Sequence, residues 1–516
     1  MIKKHIMRAA LISISNLLCI VGAGIGIFFV FQVVAPSKPQ KPFNVRLDTS
    51  APYVILASEA ADQDFKSAIQ KAVALHPEAT YLKFSNNDIE SVLGRLREIQ
   101  PRYALIVIKP DELDVNFAWK WLEVTTRIDD DPLVDVSSGF ITGATPKAAA
   151  EFVDRIANTV KGKLKVPGKL VDNFGPNPQA AQNSFVEQQG CFMIPVYQER
   201  VSLSSISHGK NGFTDAKLDA MQNAGLIHLG GHGYPDRIVD GIKARQAKKL
   251  KLSPCVVFNG ACYTGVTYRS FNQWTANQTV KKQTVAADKC FCLNLLGNSA
   301  VAYLAALHPD HGIPVYQEME YLAYSGASLG DVMRHTHNGV ILGNGGKLPA
   351  LESFTDEMPS PKWTPSEIML KGTASRVLFG DPAMIISDAF TNPPFESTAL
   401  EIGNDQLRIT AVLRNTKLKS EYTDTYHADL SSNKRLFNDR ALITVELPES
   451  WNEVGSVEVS WVKVGGQDLQ HRLLGYVVEA NEKTHRLHVQ IDMPTTGYMK
   501  SRFRQAGATV VLNVSR

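Results

Sequence analysis

An excess of charge of one sign is nearly absent from the sequence: Lys and Arg number 54 against 51 Asp and Glu, a net +3. So small a surplus gives no footing for nucleic acid or an acidic membrane surface as a partner. Internal repeats and low-complexity tracts are also missing. With 44% hydrophobic and 20% charged residues, the composition is that of an ordinary globular protein rather than a disordered or fibrous one. None of the six cysteines lies beyond Cys292, so the C-terminal part has no cysteine pair of the antibody-domain kind. Around Cys290 and Cys292 no second Cys or His pair stands at ligand spacing, which favours helical packing or a disulfide over a metal site. Cys19 falls in an apolar run, leaving five cysteines outside it, an odd number that strands at least one thiol.

Long charge-free runs are rare, and the one at the start stands out. After Lys3, Lys4 and Arg8, residues Leu11 to Ala35 carry no charge, long enough to cross a bilayer with some tilt. The run exceeds the apolar core of a signal peptide, so an uncleaved anchor is expected, with a cleaved signal ending at Ala35 as the alternative. Basic residues ahead of it keep that end in the cytoplasm and send the rest outward. "PSKPQKPF" then forms a stiff spacer.

At 516 residues the chain needs more than one core. "APYVILASEA", "EATYLKF" and "RYALIVIKP" read as buried strands separated by stretches of helical spacing, 62–75 and 87–99, and an Ala-rich helix opens near Pro146. The alternation continues through "CFMIPVYQ", the helix "TDAKLDAMQNA", "GLIHLGG", "SPCVVFNGACYTG", the helix-to-strand run "DKCFCLNLLGNSAVAYLAALHP" and "RVLFGDPAMIIS". Such alternation predicts an α/β fold with a mostly parallel sheet flanked by helices, in two subdomains. Beyond Pro393 the period becomes two. "VEVSW" places Val457, Val459 and Trp461 on one face, and "RLHVQID" does the same with Leu487, Val489 and Ile491. That predicts an immunoglobulin-like β-sandwich. The expected divisions are 1–40 (anchor or signal, and spacer), 41–166 (N-terminal α/β), 167–392 (second α/β) and 393–516 (sandwich).

The chemistry is carried by "GLIHLGGHGYP", where an apolar strand delivers His232 to a glycine-rich turn, and by "CVVFNGACYTG", where a second strand delivers Cys262. In an open α/β sheet reactive groups collect beyond the carboxyl ends of the strands, so two such ends bring an imidazole and a thiol together. A thiolate attacks a carbonyl carbon, and a histidine helps form it and protonates the departing amine. Gly233 and the small residue before Cys262 let backbone N–H groups approach a developing oxyanion, with Gly233 and Cys262 as the donors. A basic stretch between the two motifs, Arg245 to Leu252, reads as a solvated helix face.

Taken together, strand, His-Gly, an interval of about thirty residues, strand and Ala-Cys resemble the caspase-like cysteine peptidases, and the gingipain family most closely. The order of "CLNLLGNSAVAYLAAL", "SLGDVMRHTHNGV" and "RVLFGDPAM" ahead of a β-sandwich is similar too, most strongly from Gly225 to Met384. The resemblance implies a cysteine endopeptidase with Cys262 as nucleophile and His232 as the proton-transfer residue. It would act on protein or peptide substrates from the extracytoplasmic side of a membrane, in the periplasm or at the cell surface, or secreted if the leader is cleaved. No organic cofactor is required, and the family leaves room for a structural Ca²⁺. Gingipains orient their histidine with an acidic residue upstream, for which Asp172 in "KLVDNFGPNP" is the candidate, with a turn aspartate as the plainer reading. An aspartate in the floor of the specificity pocket has no counterpart near Gln182 to Gln188; His308, Asp310 and His311 of "LHPDHG" would line that pocket instead, or form a solvated loop. The alternatives are a catalytically inactive gingipain-like module that binds or senses, and a structural surface protein whose sandwich engages partners.

Overall fold

The computed structural model describes residues within 42–173, 199–203, 215–309, 327–348, 371–386, 395–413, 439–493 and 509–516, apart from short internal stretches. Among them no helix is long and apolar enough to cross a membrane; the expected span 11–35 and the strand expected over 191–198 lie outside the described residues.

Ten strands make one sheet: β1 (Tyr53–Ser58), β2 (Thr80–Phe84), β3 (Tyr103–Val107), β4 (Ser137–Ile141), β5 (Lys169–Asn173), β6 (Glu199–Ser202), β7 (Leu226–Leu229), β8 (Cys255–Asn259), β9 (Ala300–Ala306) and β10 (Arg376–Gly380). Their order is β2-β1-β3-β4-β10-β9-β8-β7-β5-β6. The pairs β2–β1, β1–β3 and β3–β4 are parallel, as are β9–β8, β8–β7, β7–β5 and β5–β6. β10 runs antiparallel to β9 and meets β4 through Phe379 and Phe140. β1, β3, β8 and β9 are buried along their whole length. Uninterrupted apolar strands of this kind are what a sheet covered on both faces demands. Strands from either side of residue 166 thus share one sheet and one hydrophobic core.

Each covering helix shows its cause in sequence. α1 (Lys66–Leu75) buries Ala68, Ile69 and Ala72 at helical spacing. α2 (Val115–Thr125), which no strand or helix pattern above assigned, is capped by Asp114, whose carboxylate accepts from the Phe117 N–H at 2.9 Å. α3 (Pro146–Val160) is capped by Thr145, has proline at its first turn, and buries Ala149, Phe152, Val153 and Ile156. α4 (Phe291–Asn298) and α5 (Leu329–Gly343) complete the set used below.

Beyond the α/β part, two antiparallel sheets enclose a second core. One contains β11 (Phe395–Glu401), β12 (Gln406–Leu413), β14 (Ser456–Val464), β15 (Gln467–Asp468) and β18 (Thr509–Ser515), in the order β11-β12-β18-β14-β15. The other contains β13 (Asp439–Glu446), β16 (Arg472–Asn481) and β17 (Thr484–Met493), in the order β13-β17-β16. Leu487, Val489 and Ile491 of β17 all face this core, as alternation requires.

In β14 the alternation is broken. The register against β18 slips between Val459 and Trp461, so Val462 is fully buried whereas Trp461 stays partly exposed beneath Lys463, whose Nζ lies 4.5 Å from the ring centroid. This corrects the expectation that Trp461 shares the inward face of Val457: a β-bulge adds one residue, and side chains beyond it exchange faces. Val462→Ala is therefore expected to cost about 2 kcal/mol in a urea unfolding titration. Trp461→Ala forfeits chiefly its contact with Lys463, about 0.5–1 kcal/mol.

Candidate active site

β7 and β8 are neighbours in parallel register, with Val256 opposite Leu226 and Asn259 opposite Leu229. The Gly260 N–H donates to Leu229 O at 2.7 Å, which carries the pairing one step past the strand ends. From that shared row the two chains depart equally: His232 is three residues beyond Leu229 (232 − 229) and Cys262 three beyond Asn259 (262 − 259). Adjacent strands lie about 4.8 Å apart. Equal departures from one row keep the two segments side by side at the same edge of the sheet.

Gly233 shows how closely they approach. A Cβ at this position would lie 2.2 Å from Cys262 O and 2.7 Å from Ala261 Cβ. The residue next to His232 therefore packs on the backbone of Cys262 itself. Past it the chain folds into a hairpin, Gly233–Tyr234 against Arg237–Ile238, with the Arg237 guanidinium 4.4 Å from the Tyr234 ring centroid. The turn is anchored where Pro235 O accepts the Phe291 N–H of α4 at 2.7 Å. His232 is exposed and Cys262 partly buried.

The segment after β8 is held on every side. Asn259 Oδ1 accepts the Ala261 N–H at 2.9 Å, and Thr264 Oγ1 donates to Ala261 O at 2.8 Å. Tyr263 takes a left-handed conformation, φ 60°, which a non-glycine residue adopts only when its surroundings impose it. The Tyr263 N–H donates to His308 O at 3.4 Å and the Gly265 N–H to Ala306 O at 2.8 Å, so β9 supports the loop from beneath. Thr267 Oγ1 donates to Pro110 O and Leu113 O, at 2.7 and 3.2 Å. Through this contact the segment that follows β3 also reaches the site.

Of the four described cysteines none is in a disulfide, and Cys262 alone among them has solvent access; Cys255, Cys290 and Cys292 are buried. Burial pushes the Cys255 thiol up to about 12, partly offset by Ser299 and Arg155. Burial, with the carboxylates of Asp288 and Asp236, raises Cys290, and burial with neighbouring Cys290 raises Cys292. These three thiols stay protonated at neutral pH and cannot act as nucleophiles. The disulfide expected as one choice for Cys290 and Cys292 is not formed: Cys290 Sγ donates to Thr267 O, and both pack as small apolar groups. Cys191 lies outside the described residues.

Asp172 sits in β5 opposite His228 of β7, in a strand rather than the turn its sequence context suggests, one strand removed from the segment that bears His232. His308 is only 2% exposed, with its ring edge-on to Trp119 at 5.7 Å and to Tyr263 at 6.0 Å between centroids. Its position backs the Cys262 loop from inside the protein. Asp310, His311 and the range 182–188 lie outside the described residues. Among the described residues no group of three or more His, Cys, Asp or Glu side chains is arranged to hold a metal ion. Of the basic stretch 245–252, the short helix Ala244–Ala247 takes in the first three residues, with Arg245 and Lys248 exposed, while Leu252 packs in the core and 249–251 lie outside the described residues.

Sequence reading missed Asn259, Thr264 and Tyr303. Their signal was present: Asn259 closes an otherwise apolar strand, and Tyr303 is the lone polar group in "AVAYLAA".

No protein-family model matches the chain, and no curated protein matches it. Two solved structures are similar in part. One, described as "Structure of Protease", is 11% identical over 90% of this chain and 97% of its own, with a TM-score of 0.42. The other, a putative phosphosugar isomerase from Silicibacter pomeroyi, is 10% identical over 48% of this chain and 84% of its own, with a TM-score of 0.14. At these identities and scores neither carries a fold or an activity to this chain.

Proposed function

We propose that the chain is a cysteine endopeptidase of the caspase-like kind, most similar to gingipains, with Cys262 as nucleophile and His232 as its proton-transfer partner. One observation carries the reading: the two segments leave neighbouring strands from a single register row, and Gly233 packs on the Cys262 backbone. In the proposed reaction His232 takes the proton from Cys262 Sγ, and the sulfur adds to the scissile carbonyl carbon. The N–H groups of Gly233 and Cys262 face the oxyanion that forms, each such donor contributing about 3 kcal/mol to lowering the barrier. The C–N bond then breaks, the amine leaves with the proton from His232, and a thioester remains. Water attacks the thioester as its proton passes to His232, the C–S bond breaks to release the acid, and His232 returns the proton to the sulfur to restore the thiol.

Asp172 is the candidate to orient His232, and Asp310 and His311 are the candidates to shape the wall that selects the substrate side chain, with the buried His308 behind the Cys262 loop rather than on that wall. The substrates are proteins or peptides, no organic cofactor takes part, and a structural Ca²⁺ enters no step. Residues 11–35 would tether the catalytic part to the extracytoplasmic face of a membrane, and the β-sheets after residue 393 form the immunoglobulin-like sandwich of the resemblance.

The test is cleavage of a proteome-derived peptide library by the full chain, with and without reductant and Ca²⁺, beside Cys262→Ala and His232→Ala. Each substitution is expected to lower turnover at least about a thousandfold, and their combination little further, because the two groups act as a unit. If folded wild type and variants proved equally inert in every condition, the proposal would fall and the binding-module reading would replace it.

A further inference from the structure

Tyr303 stands in the middle of β9 with no exposure, its ring stacked on Phe379 at 6.0 Å between centroids. Packing at this position asks only for the ring. The hydroxyl is engaged entirely with the Cys262 loop: it accepts from Asn259 Nδ2 at 2.8 Å and donates to Thr264 O at 3.0 Å. Asn259 in turn fixes the Ala261 N–H, and Thr264 fixes Ala261 O. One phenol oxygen thus ties together the residues on both sides of Cys262. From below, Arg376, itself 2% exposed, donates Nη1–H to Asn259 O at 3.4 Å and steadies the same corner. Burial, then the neighbouring Cys292, raises the Tyr303 hydroxyl well above its ordinary pKa, so it remains protonated and able to donate to Thr264.

We infer that Tyr303 is a positioning residue for Cys262: its hydroxyl locks the loop in the left-handed turn at Tyr263 that presents the thiol at the sheet edge beside His232. The inference rests on the reading of Cys262 as nucleophile. A buried hydrogen-bond network holds a loop more rigidly than the same contacts in water, and rigidity at the reacting atom is what catalysis requires.

Tyr303→Phe removes the oxygen and leaves the ring on Phe379. In the full chain, kcat per titratable Cys262 is expected to fall about tenfold to a hundredfold, the range for a displacement near 1 Å, with KM unchanged within about twofold. The rate of Cys262 alkylation by iodoacetamide, followed by mass spectrometry across pH, is expected to change in parallel. A merely structural role predicts fewer titratable molecules with ordinary kcat and an ordinary alkylation profile for those that remain; that outcome overturns the inference. Thr264→Val, which removes only the bond to Ala261 O, is expected to act in the same direction, and it carries the test should Tyr303→Phe not fold. If the wild type cleaves nothing, the peptidase reading fails by itself. Alkylation still decides the positioning role, since equal rates for wild type and Tyr303→Phe overturn it.

Discussion

Gly233→Ala is expected to lower kcat/KM by about a hundredfold or more while the protein still folds. The added carbon would meet Cys262 O at 2.2 Å, Ala261 Cβ at 2.7 Å and the Ala261 carbonyl carbon at 3.0 Å. Two of these atoms are backbone, so no side-chain rotation relieves the clash. Either the His232 turn or the Cys262 loop has to move, and the clamps from Asn259, Thr264 and β9 resist movement of the loop. The constraint is one of space, for Gly233 sits in an ordinary hairpin pairing with Ile238. At Gly231 the demand is different: φ is +111°, which disfavours any side chain, but a Cβ there would find its nearest neighbour, Ile238 Cγ2, at 3.7 Å. Gly297→Ala provides the control, since nothing lies within 4 Å of a Cβ there. Steady-state kinetics alongside thermal unfolding separate the outcomes. An active Gly233→Ala enzyme would mean that the two segments do not need their present approach.

That approach was readable in the sequence only as a likelihood of type and order. The apolar runs before His232 and Cys262 are long enough to be strands and too short to be helices, and each ends in glycine, so their meeting at one sheet edge followed from α/β alternation. The equal three-residue departure from one row did not follow, because register depends on which residues of β7 and β8 pair. The partner of Tyr303 was out of reach for a related reason. A tyrosine in an apolar strand declares that its hydroxyl needs a partner, but Asn259 lies 44 positions away and becomes that partner only once β9 is laid beside β8. The bulge at Val459 to Trp461 shows the limit of strict alternation, since one inserted residue reverses the faces beyond it, and its mark in the sequence is the adjacent apolar pair Trp461-Val462.

Asp331→Ala is expected to cost about 3–5 kcal/mol of folding stability, the largest loss anticipated for any single side chain outside the site. Asp331 is 1% exposed at the start of α5 and gathers groups from distant parts of the chain. Arg102 Nη2 lies 2.7 Å from Oδ2, Arg334 Nη2 3.1 Å from Oδ1, and Ser137 Oγ donates to Oδ1 at 2.6 Å. The Tyr103 hydroxyl lies 3.3 Å from Oδ2 and 2.9 Å from Asp48 Oδ2, and the Arg102 guanidinium also reaches Val478 O of β16 at 3.5 Å. Removing the carboxylate leaves two largely buried guanidinium groups without the anion that compensates them, which is far costlier than losing an exposed ion pair. A double variant, Asp331→Leu with Arg102→Met, is expected to be less destabilised than Asp331→Leu alone, because it removes one of the stranded charges together with its partner. Burial raises the Asp331 pKa, but Arg102, Arg334 and Ser137 outweigh it and hold the carboxyl well below the usual carboxylate range. A group depressed in the folded state contributes its full stability above the unfolded-state pKa of about 3.9, and that contribution is lost as pH falls toward the folded value. Urea midpoints for the wild type should therefore drop as the pH is lowered below about 4, and those of Asp331→Ala should drop less over the same interval. Equal acid sensitivity in the two proteins would show that this cluster is not what links the stability of the fold to low pH.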